Sequence, residues 1–211
     1  MIFNLNLIVI AVILSLNIHF TIDNKSLSQY HSDVIIDSDY TFEEAITGIE
    51  IPKNILSQLA LIEVEYCSFD KRIHRGQVLL NKKAVKDVKE IFEIIKEIKF
   101  PVNKVIPIAY YMWSDDASMS DNNSSAFNYR KVKGTKVISA HSYGLAIDIN
   151  PMQNPHIKNG ASKPVNAKYD INEPGTILKG SRIVNEFKKR GWQWGGTWRS
   201  SKDYQHFEKK N

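Results

Sequence analysis

The sequence has almost no cysteine, since Cys67 is the single one among 211 residues. One thiol cannot form a disulfide within the chain or build a cysteine-rich zinc cluster, so any metal site must use His, Asp and Glu. A serine-nucleophile motif of the type G-x-S-x-G is also missing. Because Cys67 lies in an apolar strand pattern without a paired His motif, nothing indicates a covalent nucleophile.

Charge is not concentrated in any part of the chain. Lys and Arg outnumber Asp and Glu by 28 to 23, which gives a net charge of +5 without a run of five or six like charges. We therefore expect no nucleic-acid partner, although the basic balance suits an anionic surface. Apolar residues make up 43% and charged residues 24%, which is typical of a globular protein and excludes disordered, collagenous and multi-span membrane classes. We expect a monomer.

A long hydrophobic run occurs only at the start of the chain. Residues 1–22 carry no charge and include an unbroken apolar run from Leu7 to Leu14. This length is typical of a secretory signal, whereas the interspersed Asn, Ser and His residues make a membrane span less favourable. We interpret 1–22 as a signal peptide or membrane anchor, with a buried N-terminal helix as the alternative. The predicted location is outside the cytoplasm: periplasmic, cell-wall associated or anchored facing outward, with membrane contact only through this segment.

The remainder divides into a linker and one domain. Residues 23–44 are polar and acidic with little periodicity and are predicted to be a linker, and 45–211 are predicted to form a single folded domain. Apolar periodicity within the domain predicts alternating short strands and helices. The predicted strands are 60–67 with its partner 77–80, 105–113, 145–150 and 204–209; the predicted helices are 83–98 and a Ser181-capped helix that ends before Gly191; a polar loop is predicted over 114–128.

The segment from Ser139 to Asp148 carries the clearest chemistry. His141 precedes a glycine turn, and Asp148 lies on the polar face of the strand that follows, so both side chains can converge on one point. A second imidazole, His206, lies near the C-terminus. Imidazole and carboxylate are zinc-type donors, and three protein ligands with one open position define a catalytic zinc. His141, Asp148 and His206 supply such a set.

The spacing of these residues resembles the sequence pattern of a known family. The pattern S-x-H-x-x-G-x-A-x-D, followed downstream by an acidic residue, two positions and His, is similar to the zinc peptidases that include D-alanyl-D-alanine carboxypeptidases, vancomycin-resistance dipeptidases and L-alanyl-D-glutamate endolysins. The resemblance implies that His141, Asp148 and His206 hold Zn²⁺. It also implies that Asp203 is the general base and that Arg130 binds the carbonyl that becomes an oxyanion. Many members have Glu where Asp203 stands, so the base here is shorter by one methylene.

Several roles stay open at this point. Glu208 is a rival base, because it shares a strand face with His206. Ser139 is predicted to bind substrate, the alternative being a turn-forming serine. Tyr143 is predicted to contact substrate or to pack in the core. The tryptophans near the base belong either to the core or to one wall of a substrate groove; they are Trp192, Trp194 and Trp198.

The predicted fold is α+β, with a small, mainly antiparallel sheet, flanking helices and a zinc cleft, as the resemblance to the D-Ala-D-Ala peptidase and hedgehog-like fold implies. The resemblance implies that 45–211 is a zinc peptidase catalytic domain, and the predicted function is zinc-dependent hydrolysis of a peptide bond in peptidoglycan stem peptides, of the D-Ala-D-Ala carboxypeptidase or L-Ala-D-Glu endopeptidase type. Two alternatives remain. One is a non-catalytic, zinc-containing module that binds the cell wall, and the other is an exported metallohydrolase of another substrate.

Overall fold

The computed structural model describes residues 34–210. The predicted export segment, 1–22, lies outside the described residues, as does most of the predicted linker. The strands are β1 (Ile35–Ile36), β2 (Leu59–Cys67), β3 (Ile73–Asn81), β4 (Lys104–Val105), β5 (Asn123–Ser124), β6 (Ala146–Asp148), β7 (His156–Lys158), β8 (Ala161–Lys163), β9 (Trp192–Trp194), β10 (Lys202–Asp203) and β11 (His206–Lys209). The α-helices are α1 (Phe42–Ala45), α2 (Lys53–Leu56), α3 (Val85–Glu97), α4 (Asp115–Ser120) and α5 (Arg182–Lys189). Short 3-10 helices lie at Lys82–Ala84, Ile108–Tyr111, Ala140–Tyr143 and Gly195–Thr197.

The longest strands form a hairpin that supports the main helix. β2 and β3 pair antiparallel from Leu59 opposite Asn81 to Cys67 opposite Ile73, which confirms the predicted strand and its partner. α3 confirms the predicted helix and buries an apolar face that consists of Val88, Ile91, Phe92 and Ile95. Apolar residues at spacings of three and four form such a face because 3.6 residues make one helical turn.

The predicted linker is wrong over residues 34–44. β1 pairs parallel with β3, and Thr41 caps α1 through a capping box with Glu44. Between these elements, the Asp37 carboxylate bonds to Nδ1 of His74 at 3.0 Å and accepts a hydrogen bond from the Tyr66 hydroxyl. Elements of two to four residues are too short to show an apolar periodicity in the sequence. Their stability comes from tertiary contacts such as these.

The region from residue 104 to residue 128 also differs from the prediction. The expected strand over 105–113 is limited to β4, because Pro107 is followed by the 3-10 helix Ile108–Tyr111. The expected loop over 114–128 contains α4, with Ser114 as its N-cap, and β5. Both short helices lack the repeated apolar spacing by which a longer helix is recognised.

The C-terminal half builds a second layer. β6, β11 and β9 form an antiparallel sheet in the order β6-β11-β9, and α5 packs on it, with the rings of Phe187 and Phe207 stacked at 3.8 Å. Ser181 caps α5 as predicted. The fold of residues 34–210 is thus α+β, but four small sheets in this range replace the single sheet that was expected, and β1–β3 and β4–β5 are parallel pairs. No helix within residues 34–210 is long and apolar enough to cross a membrane.

Candidate metal centre

A tight turn places the first two candidate ligands. The Ser139 hydroxyl accepts a hydrogen bond from the backbone N–H of His141 and so starts the 3-10 helix, and Gly144 ends it with φ +65°. A Cβ at Gly144 would lie 2.5 Å from the backbone nitrogen of Asn81 on the neighbouring hairpin. Glycine is therefore required both by the left-handed conformation and by this close approach. β6 follows directly and carries Asp148.

Strand pairing brings the third candidate ligand to the same point. β11 runs antiparallel to β6 with His206 directly opposite Asp148. Nδ1 of His206 lies 2.9 Å from Oδ1 of Asp148, and Nε2 of His141 lies 3.3 Å from Oδ2. The two ring nitrogens are 3.1 Å apart. All three side chains are buried, so three donor atoms converge in a pocket sheltered from solvent.

The outer nitrogens of both imidazoles are held in place. Nδ1 of His141 donates to the carbonyl oxygen of Ala126, which leaves Nε2 free to act as a donor to a metal. Nε2 of His206 faces Oε2 of Glu208 at 3.4 Å, which leaves Nδ1 toward Asp148. Two nitrogens on imidazoles that are oriented from outside, together with one carboxylate, match the ligand set of a catalytic zinc site with a position left for water or substrate. The residues present therefore fit zinc.

The charges of the three groups depend on one another. Burial by itself raises the pKa of the Asp148 carboxyl, but the charges of His141 and His206 and their hydrogen bonds outweigh burial and hold that pKa below its usual value. For His206, burial lowers the pKa, yet the hydrogen bonds to Asp148 and Glu208 outweigh it and raise the pKa to about 10. A metal ion and a proton therefore compete for binding to Nδ1 of His206.

Asp203, which lies on β10, is a neighbour of the three donor residues. Its strand pairs with β7, which places His156 directly opposite Asp203. Burial, followed by the negative charge of Asp148, raises the pKa of the Asp203 carboxyl. Its Oδ1 is buried and has no hydrogen-bond partner among the described residues. A carboxylate with a raised pKa and a free oxygen is suited to exchange protons with a bound molecule.

A cavity of about 860 Å³ opens over this centre. Its lining includes the three donor residues and Asp203, together with Arg130, Ser139, His156, Trp198 and Gln205. Within residues 34–210, four buried side-chain polar atoms lack a hydrogen-bond partner, and three of them belong to Arg130, Asp203 and Gln205. Such atoms are rare in folded proteins. Their concentration here marks the cavity as the candidate active site.

The predicted substrate contacts divide between the cavity and the core. Ser139 lines the cavity, but its oxygen also forms the cap described above, so the turn-forming alternative is present in the structure. Tyr143 is not among the cavity residues and packs against two hydrophobic clusters. This position fits the alternative that Tyr143 packs in the core, and a contact between Tyr143 and substrate stays a prediction.

The tryptophans divide in the same way. Trp192 and Trp194 alternate on β9 with Gln193 between them, and both are buried in the core. Trp198 lines the cavity, and its ring centroid lies 5.3 Å from that of His206. The sequence pattern did not distinguish the two core tryptophans from Trp198, because it does not show that the strand ends at Trp194.

Two cavity residues were not predicted. His156 has no partner motif in the sequence, and only the pairing of β7 with β10 brings it beside Asp203. Gln205 is 2% exposed, and its Oε1 has no partner among the described residues. Its place next to His206 in the sequence was the one available signal.

The fold thus presents a candidate metal site of two histidines and one aspartate. A family model described as D-alanyl-D-alanine carboxypeptidase matches residues 133–209. The match includes the three candidate ligands and Asp203, and it begins after Arg130. It confirms the resemblance to the zinc D-alanyl-D-alanine peptidase family over this segment and supports a peptidase. No solved structure matches the chain.

Proposed function

We propose that this protein is a zinc metallopeptidase that hydrolyses a peptide bond in the stem peptides of peptidoglycan, of the D-Ala-D-Ala carboxypeptidase or L-Ala-D-Glu endopeptidase type. One observation carries the proposal. His141, Asp148 and His206 converge at the base of a cavity that also contains the Asp203 carboxylate, with one oxygen free of partners among the described residues. The cavity serves as the zinc cleft of the proposed D-Ala-D-Ala peptidase and hedgehog-like fold.

His141, Asp148 and His206 are the residues that would hold the metal. When bound, zinc supplies a Lewis acid that lowers the pKa of a water molecule to about 7 and polarises a carbonyl group. Asp203 accepts the proton that the attacking water loses, because its raised pKa lies closer to neutral pH than that of an ordinary carboxyl. The same oxygen then returns the proton to the departing amine.

Glu208 has a different place in this scheme. Its carboxylate lies against Nε2 of His206, and this hydrogen bond, followed by the opposing effect of burial, leaves the pKa of Glu208 below its usual value. A carboxyl that is engaged with a ligand and has a lowered pKa is a weak base. We therefore assign Glu208 to the orientation of His206 and keep Asp203 as the base.

Arg130 completes the proposed machinery. Its side chain lines the cavity, and its buried Nε has no partner among the described residues. A fixed guanidinium that faces the scissile carbonyl stabilises the negative charge that develops on the oxygen during attack. This charge appears only during reaction, so Arg130 contributes to turnover rather than to substrate binding.

The proposal is tested by incubating the protein with purified peptidoglycan, with and without a chelator, and identifying released fragments by mass spectrometry. We expect stem-peptide fragments only without chelator, and their masses identify the bond that is cut. A protein that retains zinc and binds peptidoglycan without releasing fragments would be a wall-binding module. Hydrolysis of an unrelated peptide or a phosphodiester, with peptidoglycan intact, would indicate another metallohydrolase.

A further inference from the structure

Arg130 forms an ion pair inside the cavity with Asp115, a residue that no motif singles out. We propose that Asp115 is a positioning residue, which holds the Arg130 guanidinium in the orientation that meets the developing oxyanion. The inference rests on the proposed function, because it assigns Asp115 a role through Arg130. It concerns the geometry of the guanidinium, which can be measured without turnover.

Both oxygens of the Asp115 carboxylate are engaged. Oδ2 lies 2.9 Å from Nη2 of Arg130, and Oδ1 accepts a hydrogen bond from Nδ2 of Asn128 at 3.3 Å. The two side chains of the ion pair are 32% and 30% exposed. At this exposure an ion pair adds little to stability. Its main physical effect is to select one orientation of a long and flexible side chain.

The backbone of Arg130 is fixed separately. The N–H of Arg130 donates to Oγ of Ser142 at 2.8 Å, and the same hydroxyl donates to the carbonyl oxygen of Arg130 at 2.7 Å. The N–H of Ser139 also donates to that carbonyl, at 3.0 Å. Ser139 and Ser142 flank His141, so the main chain of Arg130 is attached to the turn that carries a candidate ligand. Only the side-chain torsions of Arg130 remain to be set.

Asp115, which lies on a different element, sets the side-chain torsions of Arg130. It is the first residue of α4, whose N-cap is Ser114, with Oγ bonded to the N–H of Ala117 at 3.2 Å. The guanidinium is therefore held between α4 and the turn around His141. A donor that is oriented before reaction needs no reorganisation when charge develops, and displacement of about 1 Å can lower a rate about 100-fold. Nε of Arg130 has no partner among the described residues, so it is available to donate a hydrogen bond to a bound ligand.

The variants Asp115→Asn, Arg130→Ala and the double variant test this role in the zinc-loaded full chain. Asn keeps an oxygen for Asn128 but removes the charge that pairs with Arg130. We expect Asp115→Asn to lower kcat roughly 10- to 100-fold on a synthetic stem pentapeptide, with KM, zinc content and melting temperature nearly unchanged. In the double variant, the loss should equal that of Arg130→Ala alone, because Asp115 acts through Arg130.

Asp116→Asn is the matched control. Asp116 is the neighbouring carboxylate, its side chain is 67% exposed, and its distances to Lys133 and Lys163 are 3.6 and 3.7 Å. We expect near-normal kcat for this variant. Additive losses in the double variant, or a kcat that rises in Asp115→Asn because Arg130 is released, would overturn the proposal.

A spectroscopic measurement separates this inference from the proposed function. In ¹⁵N NMR spectra, an ion-paired guanidinium rotates slowly, and we expect slow rotation for Arg130 in the wild type and fast rotation in Asp115→Asn. Equally fast rotation in both proteins would overturn the positioning role whatever the activity. Slow rotation in a wild type that releases no fragment from peptidoglycan would refute the proposed function and leave the positioning of Arg130 established.

Discussion

The two histidines of the candidate metal centre offer different ring nitrogens, Nε2 for His141 and Nδ1 for His206. Each choice follows from the partner of the opposite nitrogen, which is the carbonyl of Ala126 in one case and the Glu208 carboxylate in the other. Imidazole orientation at a metal is usually set in this way from outside the ligand set. The site is thus built from ligands and from residues that hold them.

This ligand set makes a prediction for metal content. Replacing either His141 or His206 with Ala should abolish tight zinc binding, because two remaining donors cannot complete a catalytic site. Elemental analysis after dialysis measures the result. His156→Ala is the matched control, since His156 lines the same cavity outside the donor group and should leave zinc content unchanged. Undiminished zinc in both ligand variants would refute the assignment.

The convergence of His141 and Asp148 was predictable because it depends on local geometry: a glycine turn followed by a strand of period two directs both side chains to one point. The place of His206 depends on the long-range pairing of β11 with β6, and its role as a ligand was implied by the family resemblance. The ion pair of Asp115 with Arg130 was not predictable. The two residues are fifteen positions apart in the sequence, and their side chains meet only because α4 and the segment before Ser139 pack around the same cavity.

At the scale of elements, β1 is attached to the hairpin by its pairing with β3, and a carboxylate just after β1 adds side-chain contacts to the hairpin. Asp37 is the hydrogen-bond partner of two buried groups, the Tyr66 hydroxyl and Nδ1 of His74. Burial, together with the hydrogen bond to Asp37, raises the pKa of Tyr66, so the phenol stays protonated and donates. The carboxylate therefore satisfies groups that have no access to bulk water.

Removing that carboxylate should destabilise the fold. Asp37→Ala leaves the buried Tyr66 and His74 groups without this partner, and we expect the free energy of unfolding to fall by about 1–3 kcal/mol. Urea denaturation followed by tryptophan fluorescence measures the change. Asp39→Ala is the control, because Asp39 is exposed, and it should change stability little. Equal stability of the two variants would mean that the Asp37 carboxylate adds nothing to the stability of the domain.

Elements with strong periodicity were predictable, and short ones were not. α3 and the β2–β3 hairpin have enough residues for a pattern to repeat. α4 has six residues and α1 has four, so their caps were the only signals. Ser114 followed by two acidic residues is such a signal, but a single turn and a half of helix gains its stability from packing that the sequence does not reveal.

At the scale of the whole molecule, we propose that the chain acts outside the cytoplasm. The uncharged segment 1–22 has the apolar run of an export signal, and a net charge of +5 suits an anionic wall. Fusing residues 1–45 to a reporter that is active only after export should give an active reporter. The same fusion with two Lys residues placed inside the run Leu7–Leu14 is the control and should stay inactive. An inactive reporter in the unaltered fusion would overturn the proposed location.

The most direct test of the central claim measures zinc content and turnover in one preparation of Asp203→Asn. Asn nearly keeps the shape of Asp but cannot accept a proton, so we predict normal zinc content with turnover on peptidoglycan lowered by about two to four orders of magnitude. Glu208→Gln, measured alongside, should lose far less turnover, because Gln can still contact His206. Loss of zinc together with activity in Asp203→Asn would make Asp203 a ligand. Full activity of Asp203→Asn on peptidoglycan would contradict the mechanism proposed for this site.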